Sequence, residues 1–161
     1  MLYLFAGMVL TPLAINWVAS RHDFLRFADA FAVSIMLVVF WCITNTMAMV
    51  LEPPESKMLH PLIDFFGGAV CMWLYRQDKA PWKAALAFLF FTQCALHAWF
   101  WYEHFVSPTT GVYLNYQRAV NISWAAELLV VSLSGGRYVS SLALDWMRGG
   151  FGSHHHQGVA R

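Results

Sequence analysis

The sequence predicts an all-α membrane protein, a polytopic bundle of about five transmembrane helices. Of its 161 residues, 59% are hydrophobic and only 12% are charged, against about 45–50% and about 25% in soluble domains. The mean hydropathy is +0.50, and the apolar residues form long runs rather than alternating with polar ones. A net charge of only +1 excludes a basic nucleic-acid-binding protein, and a chain of this length predicts one folding unit.

Five apolar segments are long enough, or nearly so, to cross a bilayer. A spanning helix needs about 20 mostly apolar residues, and charged or turn-forming residues separate the segments from one another. Together they form a predicted bundle within residues 1–136, with spans at 2–20, 29–51, 61–75, 84–106 and 118–133.

The first two spans are bounded clearly. No Lys or Arg precedes the first, so we expect it to be retained as a helix rather than cleaved as a signal peptide. The second contains no charge between Ala30 and Leu51. It ends at residues 52–55, a Glu-Pro-Pro-Glu stretch, because proline cannot continue the helical hydrogen bonding.

The third and fourth spans carry features that bear on packing and chemistry. The third begins at Pro61, is short, and holds Asp64 one turn inside. Gly67 and Gly68 on the same helix favour close approach of a neighbour. The fourth ends in the aromatic run at 99–102.

The fifth span is the weakest, because Asn121 and Glu127 interrupt its apolar pattern. We expect it to end at residues 134–136, Ser-Gly-Gly. Beyond that break, apolar residues recur at i, i+3, i+4 and i+7, which predicts a short amphipathic helix over 137–148, lying in the membrane interface. Residues 149–161 are rich in Gly and His and are expected to form a flexible tail.

The basic residues predict an orientation. Grouping the loops alternately, one side receives only Lys57 and Arg118. The other receives Arg21, Arg26, Arg76, Lys79, Lys83, Arg137, Arg148 and Arg161. Because Lys and Arg concentrate on the cytoplasmic side, the N-terminus is predicted outside and the C-terminus in the cytoplasm. This places the chain in a bacterial-type cytoplasmic membrane as a multi-pass protein, with Tyr116 in an outer aromatic belt.

Three ionisable residues interrupt apolar helices, and each costs about 2.5–3.5 kcal/mol at a helix centre on insertion scales. They are Asp64, His97 and Glu127. With a rise of about 1.5 Å per residue, His97 lies roughly 10 Å inside His104, and Glu127 roughly 13 Å inside Arg118. His97 and Glu127 are therefore predicted at similar depth, near the middle of the bilayer.

Two further polar residues extend this group. Gln93 shares a helical face with His97 by the i, i+4 spacing, and Asn45 and Asp64 are expected nearer the outer surface. The five residues predict a polar track for a proton, an ion or a small solute, since histidine titrates near neutrality. The alternative is that the same side chains only hydrogen-bond between helices and stabilise packing.

A second group predicts a metal site at the outer ends of the third and fourth spans. His60 and Asp64 are spaced i, i+4, and Glu103 and His104 end span four. His and carboxylate side chains are ligands for zinc and other divalent ions. A haem between His60 and His104 is an alternative, as is an ordinary polar helix end. No cofactor is determined by the sequence.

The motifs that are absent and the composition limit the functions that the sequence predicts. The chain has no GxSxG, HExxH, phosphate-binding glycine loop or dinucleotide fingerprint, so no enzyme is predicted. We expect a permeability role in the lipid bilayer, with assembly as a homo-oligomer or in a larger membrane complex, and no nucleic-acid partner. One alternative is an accessory subunit, which 8 Trp and 13 Phe would suit. The other is a phage holin-like pore-former, which shares the small size and short loops.

Overall fold

The protein is a bundle of α-helices. The computed structural model describes residues 2–51, 59–105 and 112–150, with side chains over 6–51, 59–103 and 115–147. No strand occurs within these ranges, which confirms the predicted all-α class. The helices of this part are α1 (Leu2–His22), α2 (Phe24–Val50), α3 (His60–Asp78), α4 (Pro81–Phe105) and α5 (Val112–Gly150).

Three helical segments among the described residues are long and apolar enough to cross a membrane. They are Phe24–Val50 in α2, Pro81–Glu103 in α4 and Asn115–Met147 in α5. These segments support an integral membrane protein. That α1 and α3 also cross, and that the N-terminus lies outside, stay predictions.

Local chemistry explains the tight connections between consecutive helices. Asp23 separates α1 from α2, and its side chain caps α2 by accepting a hydrogen bond from the Arg26 amide at 3.2 Å. α3 ends at Asp78, and the left-handed φ of 58° at the next residue, Lys79, reverses the chain. α4 then begins at Pro81, three residues before the predicted start of span four, because proline needs no amide donor at a helix start.

Both connections lie at the same end of the bundle, which we call the basic end. The Lys83 ammonium in the first turn of α4 pairs with Asp29 near the start of α2, and with Asp78 Oδ2 at the end of α3, at 2.8 Å. Lys83 is only 1% exposed. This pairing brings together the starts of α2 and α4 and the end of α3, so α3 runs antiparallel to both α2 and α4.

The structure corrects the predicted end of the fifth helix at 134–136, since α5 is one helix of 39 residues that continues through them. Gly135 does not end the helix but allows α1 to pack closely against α5. A Cβ at this position would lie 2.3 Å from Asn16 Oδ1 and 3.4 Å from Ala19 Cβ, both on α1. In a bilayer the backbone must satisfy its hydrogen bonds within the helix, so glycine does not end a helix as readily as it does in water. Residues 137–148 therefore belong to α5, and their interfacial position stays a prediction.

Of the predicted tail, residues 149 and 150 belong to α5, and the flexibility predicted for the rest falls outside the described residues.

The Asn16 side chain on α1 connects α1, α2 and α5 beside Gly135, where the lack of a Cβ leaves room for it. Its Nδ2 donates to Ser34 Oγ on α2 at 2.9 Å and to the Val131 carbonyl on α5 at 3.0 Å. Its Oδ1 accepts from Ser134 Oγ at 3.2 Å. The side chain is fully buried, and we call this group the Asn16 node.

The apolar core occupies the middle of the bundle. On α3, Gly67 and Gly68 let α4 approach closely, since a Cβ on either would lie 2.8 Å from the ring of Phe90 or Phe91. The core receives side chains from every helix: Val9, Val33, Leu37, Cys71, Leu86, Ala87, Phe90, Leu128 and Val131.

Candidate functional site

A cavity of about 450 Å³ lies between α2, α3, α4 and α5, at the end of the bundle opposite the basic end. Its walls come from the second half of α2, the first turns of α3, the middle of α4 and the first half of α5. The polar side chains predicted as a track all line it, and His60 joins them. The predicted set is Asn45, Asp64, Gln93, His97 and Glu127.

His97 connects three helices at this cavity. Its Nε2 lies 2.9 Å from Asp64 Oδ2 on α3, a close contact that is not an aligned hydrogen bond. Its Nδ1 lies 2.5 Å from the Tyr116 hydroxyl on α5. The imidazole is 1% exposed, and its ring lies 5.5 Å from that of His60. When Nε2 carries the proton, Nδ1 accepts from the tyrosine, and the charged imidazolium reverses that bond.

Glu127 is the most deeply enclosed ionisable group of the cavity, with no exposed surface. Gln93 Nε2 donates to its Oε1 at 2.7 Å, while Oε2 has no hydrogen-bond partner among the described residues. No Lys or Arg lines the cavity within that part of the chain. A carboxylate in such a place is stable when it holds a proton or pairs with a cation supplied from elsewhere.

The sequence placed His97 and Glu127 at one depth, and both line the cavity. Their partners differ, because His97 contacts Asp64 whereas Glu127 accepts a hydrogen bond from Gln93. Asn45 lies on the α2 wall and donates from Nδ2 to the Trp41 carbonyl at 2.8 Å. Their role as a transport path stays a prediction.

Tyr116 was predicted in an outer aromatic belt, and the structure places it inside the bundle instead. It is only 2% exposed, and its ring stacks on Phe100 with a centroid distance of 4.3 Å. The cause is the helix start, since α5 begins at Val112 rather than at 118. The sequence does contain a sign of this position. Tyr116 lies three helical turns before Glu127, so the two residues share one face of a continuous helix.

The predicted metal site is not assembled by the residues that the structure describes. His60 and Asp64 line the cavity, but Glu103 does not, and the side chain of His104 lies outside the described range. No group of three or more His, Cys, Asp or Glu side chains in the described ranges is arranged to hold a metal ion. The predicted haem alternative also depends on His104.

The polar lining stops at mid-bundle. Immediately past Glu127, the interior is filled by the apolar side chains of Leu128, Val131, Cys71 and Leu86, each at most 4% exposed. The Asn16 node and the buried Lys83 lie further toward the basic end. The cavity therefore ends at mid-bundle. Toward the basic end it is closed by these apolar side chains, which we call the apolar floor.

No protein-family model, no curated protein and no solved structure matches the chain.

Proposed function

We propose that the protein has a permeability role and admits a proton, an ion or a small solute into the cavity from the outer side of the membrane. Glu127, His97 and Asp64 carry the function. The proposal includes the five-span topology, with the N-terminus outside and the C-terminus in the cytoplasm. The observation that carries it is the fully buried Glu127 carboxylate, whose Oε2 has no hydrogen-bond partner among the described residues and which lines a cavity to which none of those residues contributes a Lys or Arg.

The geometry favours exchange of a proton at Glu127. Its buried carboxylate must be neutralised, and a proton is the smallest charge that does so. His97 and Asp64 lie 2.9 Å apart in the same cavity, and an imidazole beside a carboxylate accepts and releases protons near neutral pH. Gln93, one turn from His97 on α4, hydrogen-bonds Glu127 and so lies between the two groups in the lining of the cavity.

The apolar floor favours a carrier over an open pore. A proton or solute at Glu127 must pass Leu128 and Val131, which are buried, before it reaches the basic end. Transport therefore requires a rearrangement that opens the packing between α5 and its neighbours. We expect slow, saturable flux rather than the large conductance of a holin-like pore.

Reconstituted vesicles test the proposal. The purified chain is placed in liposomes loaded with a pH-sensitive dye, and proton entry is followed after an imposed potential. We expect Glu127→Gln and His97→Ala to lower the protein-dependent flux at least about tenfold, because each removes a group that holds the proton. Asp145→Asn is the matched control, since Asp145 lies exposed on the same helix, away from the cavity. Unchanged flux in both cavity variants would exclude the pathway and favour an accessory subunit.

The topology has its own test. A fluorescent protein fused after Arg161 should fold and fluoresce, and alkaline phosphatase fused at the same place should be inactive, because the proposal places this end in the cytoplasm. The opposite pair of signals would reverse the orientation, and with it the side from which the cavity is reached.

A further inference from the structure

The charges that line the cavity have one sign. Asp64 and Glu127 are the carboxylates, His60 and His97 are the imidazoles, and no Lys or Arg joins them among the described residues. With neutral histidines and an ionised Asp64, the formal charge of the lining is −1 while Glu127 holds a proton and −2 once that proton is released. A concave site of low dielectric concentrates such a field, so the cavity favours a cation over an anion.

Much of the remaining lining is aromatic. The aromatic side chains are Phe40, Trp41, Phe90, Tyr116 and Trp124, and they come from α2, α4 and α5. The face of an aromatic ring attracts a cation, and most strongly where the cation is shielded from water. Together with Leu37, Ile63 and Val120 in the same lining, these rings suit a cation that carries an apolar body.

The size and the ligand set argue against a bare metal ion. A volume of about 450 Å³ falls in the range of about 300–1,000 Å³ typical of small-organic-molecule sites. Calcium takes six to eight oxygen ligands, whereas no three or more His, Cys, Asp or Glu side chains among the described residues are arranged to hold a metal ion.

We propose that the cavity binds a lipophilic organic monocation, such as a quaternary ammonium or phosphonium ion, with Glu127 as its counter-ion. The inference rests on the proposed function, since it names the solute class for the same cavity. The Glu127 carboxyl releases its proton as the cation enters, so one positive charge replaces another. The net charge of the buried site is therefore unchanged, and one proton leaves for each cation bound.

Equilibrium dialysis on the full chain in detergent tests this assignment with two probes of equal shape and opposite charge. Tetraphenylphosphonium should bind saturably, with one site per chain, and tetraphenylborate should not. In weakly buffered solution, one proton should appear per phosphonium bound. Glu127→Gln should weaken phosphonium binding at least about tenfold and abolish the proton release, while Asp145→Asn should behave as wild type.

The wild-type pH profile keeps the test independent of how well the variant folds. Phosphonium affinity should rise with pH as the competing proton leaves the site. The titratable groups near Glu127 are Asp64, His60, His97, Tyr116 and the Cys71 thiol, whereas the α2 wall contributes none. Binding that does not change between acidic and alkaline pH would overturn the exchange.

The outcomes separate this inference from the proposed function. Equal binding of both probes, or wild-type affinity in a folded Glu127→Gln variant, overturns the organic-cation site. Proton flux that depends on Glu127 without phosphonium binding also overturns it and leaves the proposed permeability intact. Phosphonium binding that depends on Glu127 in a protein without flux supports the site and contradicts the transport.

Discussion

Gly135 offers the sharpest test of how α1 and α5 are held together. In Gly135→Ala, the new Cβ would lie 2.3 Å from Asn16 Oδ1 and 3.3 Å from its Cγ, about 1 Å inside ordinary contact. Asn16 cannot rotate away freely, because its amide is bonded to Ser34, Val131 and Ser134. Either the bonds break or the helices separate.

The expected cost follows from these contacts. Overpacking a filled interface costs about 1–3 kcal/mol, and each hydrogen bond lost from Asn16 adds about 1 kcal/mol. Replacing glycine by alanine within a helix returns about 0.5–1 kcal/mol. We therefore expect Gly135→Ala to lower the free energy of unfolding by about 1–3 kcal/mol.

The adjacent glycine provides the control. A Cβ at Gly136 meets no atom within 4 Å, so Gly136→Ala should keep only the helical gain. The two variants should then differ by about 2–4 kcal/mol in SDS titrations of detergent-solubilised protein, followed by tryptophan fluorescence. In an Asn16→Ala background, the Gly135→Ala change should lose most of its cost. Equal unfolding midpoints for Gly135→Ala and Gly136→Ala would refute the close approach of α1.

Three further predictions concern α3, the basic end and pH. Gly67→Ala places a Cβ 2.8 Å from the Phe90 ring and should destabilise the bundle by about 1–3 kcal/mol in the same titration; an unchanged midpoint would show that α3 shifts freely. Lys83→Met leaves two aspartates unpaired and should cost about 1–2 kcal/mol, whereas exposed Lys79→Met should change stability by under about 0.5 kcal/mol. Hydrogen bonds from Lys83 and the Ala80 amide lower the pKa of Asp78, so its contribution is present above its unfolded-state pKa and is lost as pH falls through the lower folded value. Because Asp78 is half exposed, the loss below about pH 4 should stay under about 1 kcal/mol and disappear in Asp78→Asn.

The sequence predicted the helices well, because long apolar runs report burial in lipid or in a core directly. The same logic grouped Asp64, His97 and Glu127 in one predicted polar track, since a charge-bearing side chain in an apolar helix turns away from lipid. Helical rise then gave the depths of His97 and Glu127. These inferences need only distances along single helices, which a sequence contains.

Contacts between distant segments were not predictable in this way. The sequence places Lys83 in a loop, and only the structure shows that Asp29 and Asp78 on two other helices pair with it. Asn16 bonds to residues 18 and 115 positions away. Gly135 resembles a helix end because glycine is a helix breaker in water, and only the presence of α1 beside it shows its packing role.

The unbroken length of α5 couples its two ends mechanically. At about 1.5 Å per residue, its 39 residues extend about 58 Å, roughly twice the 30 Å thickness of a bilayer's hydrocarbon core. Gly135, where Asn16 lies closest to α5, divides the helix, with Glu127 about 12 Å to one side and Trp146 about 16 Å to the other. If α5 tilts about this contact so that the cavity widens at Glu127, the exposed Trp146 side chain moves in the opposite direction and slightly further.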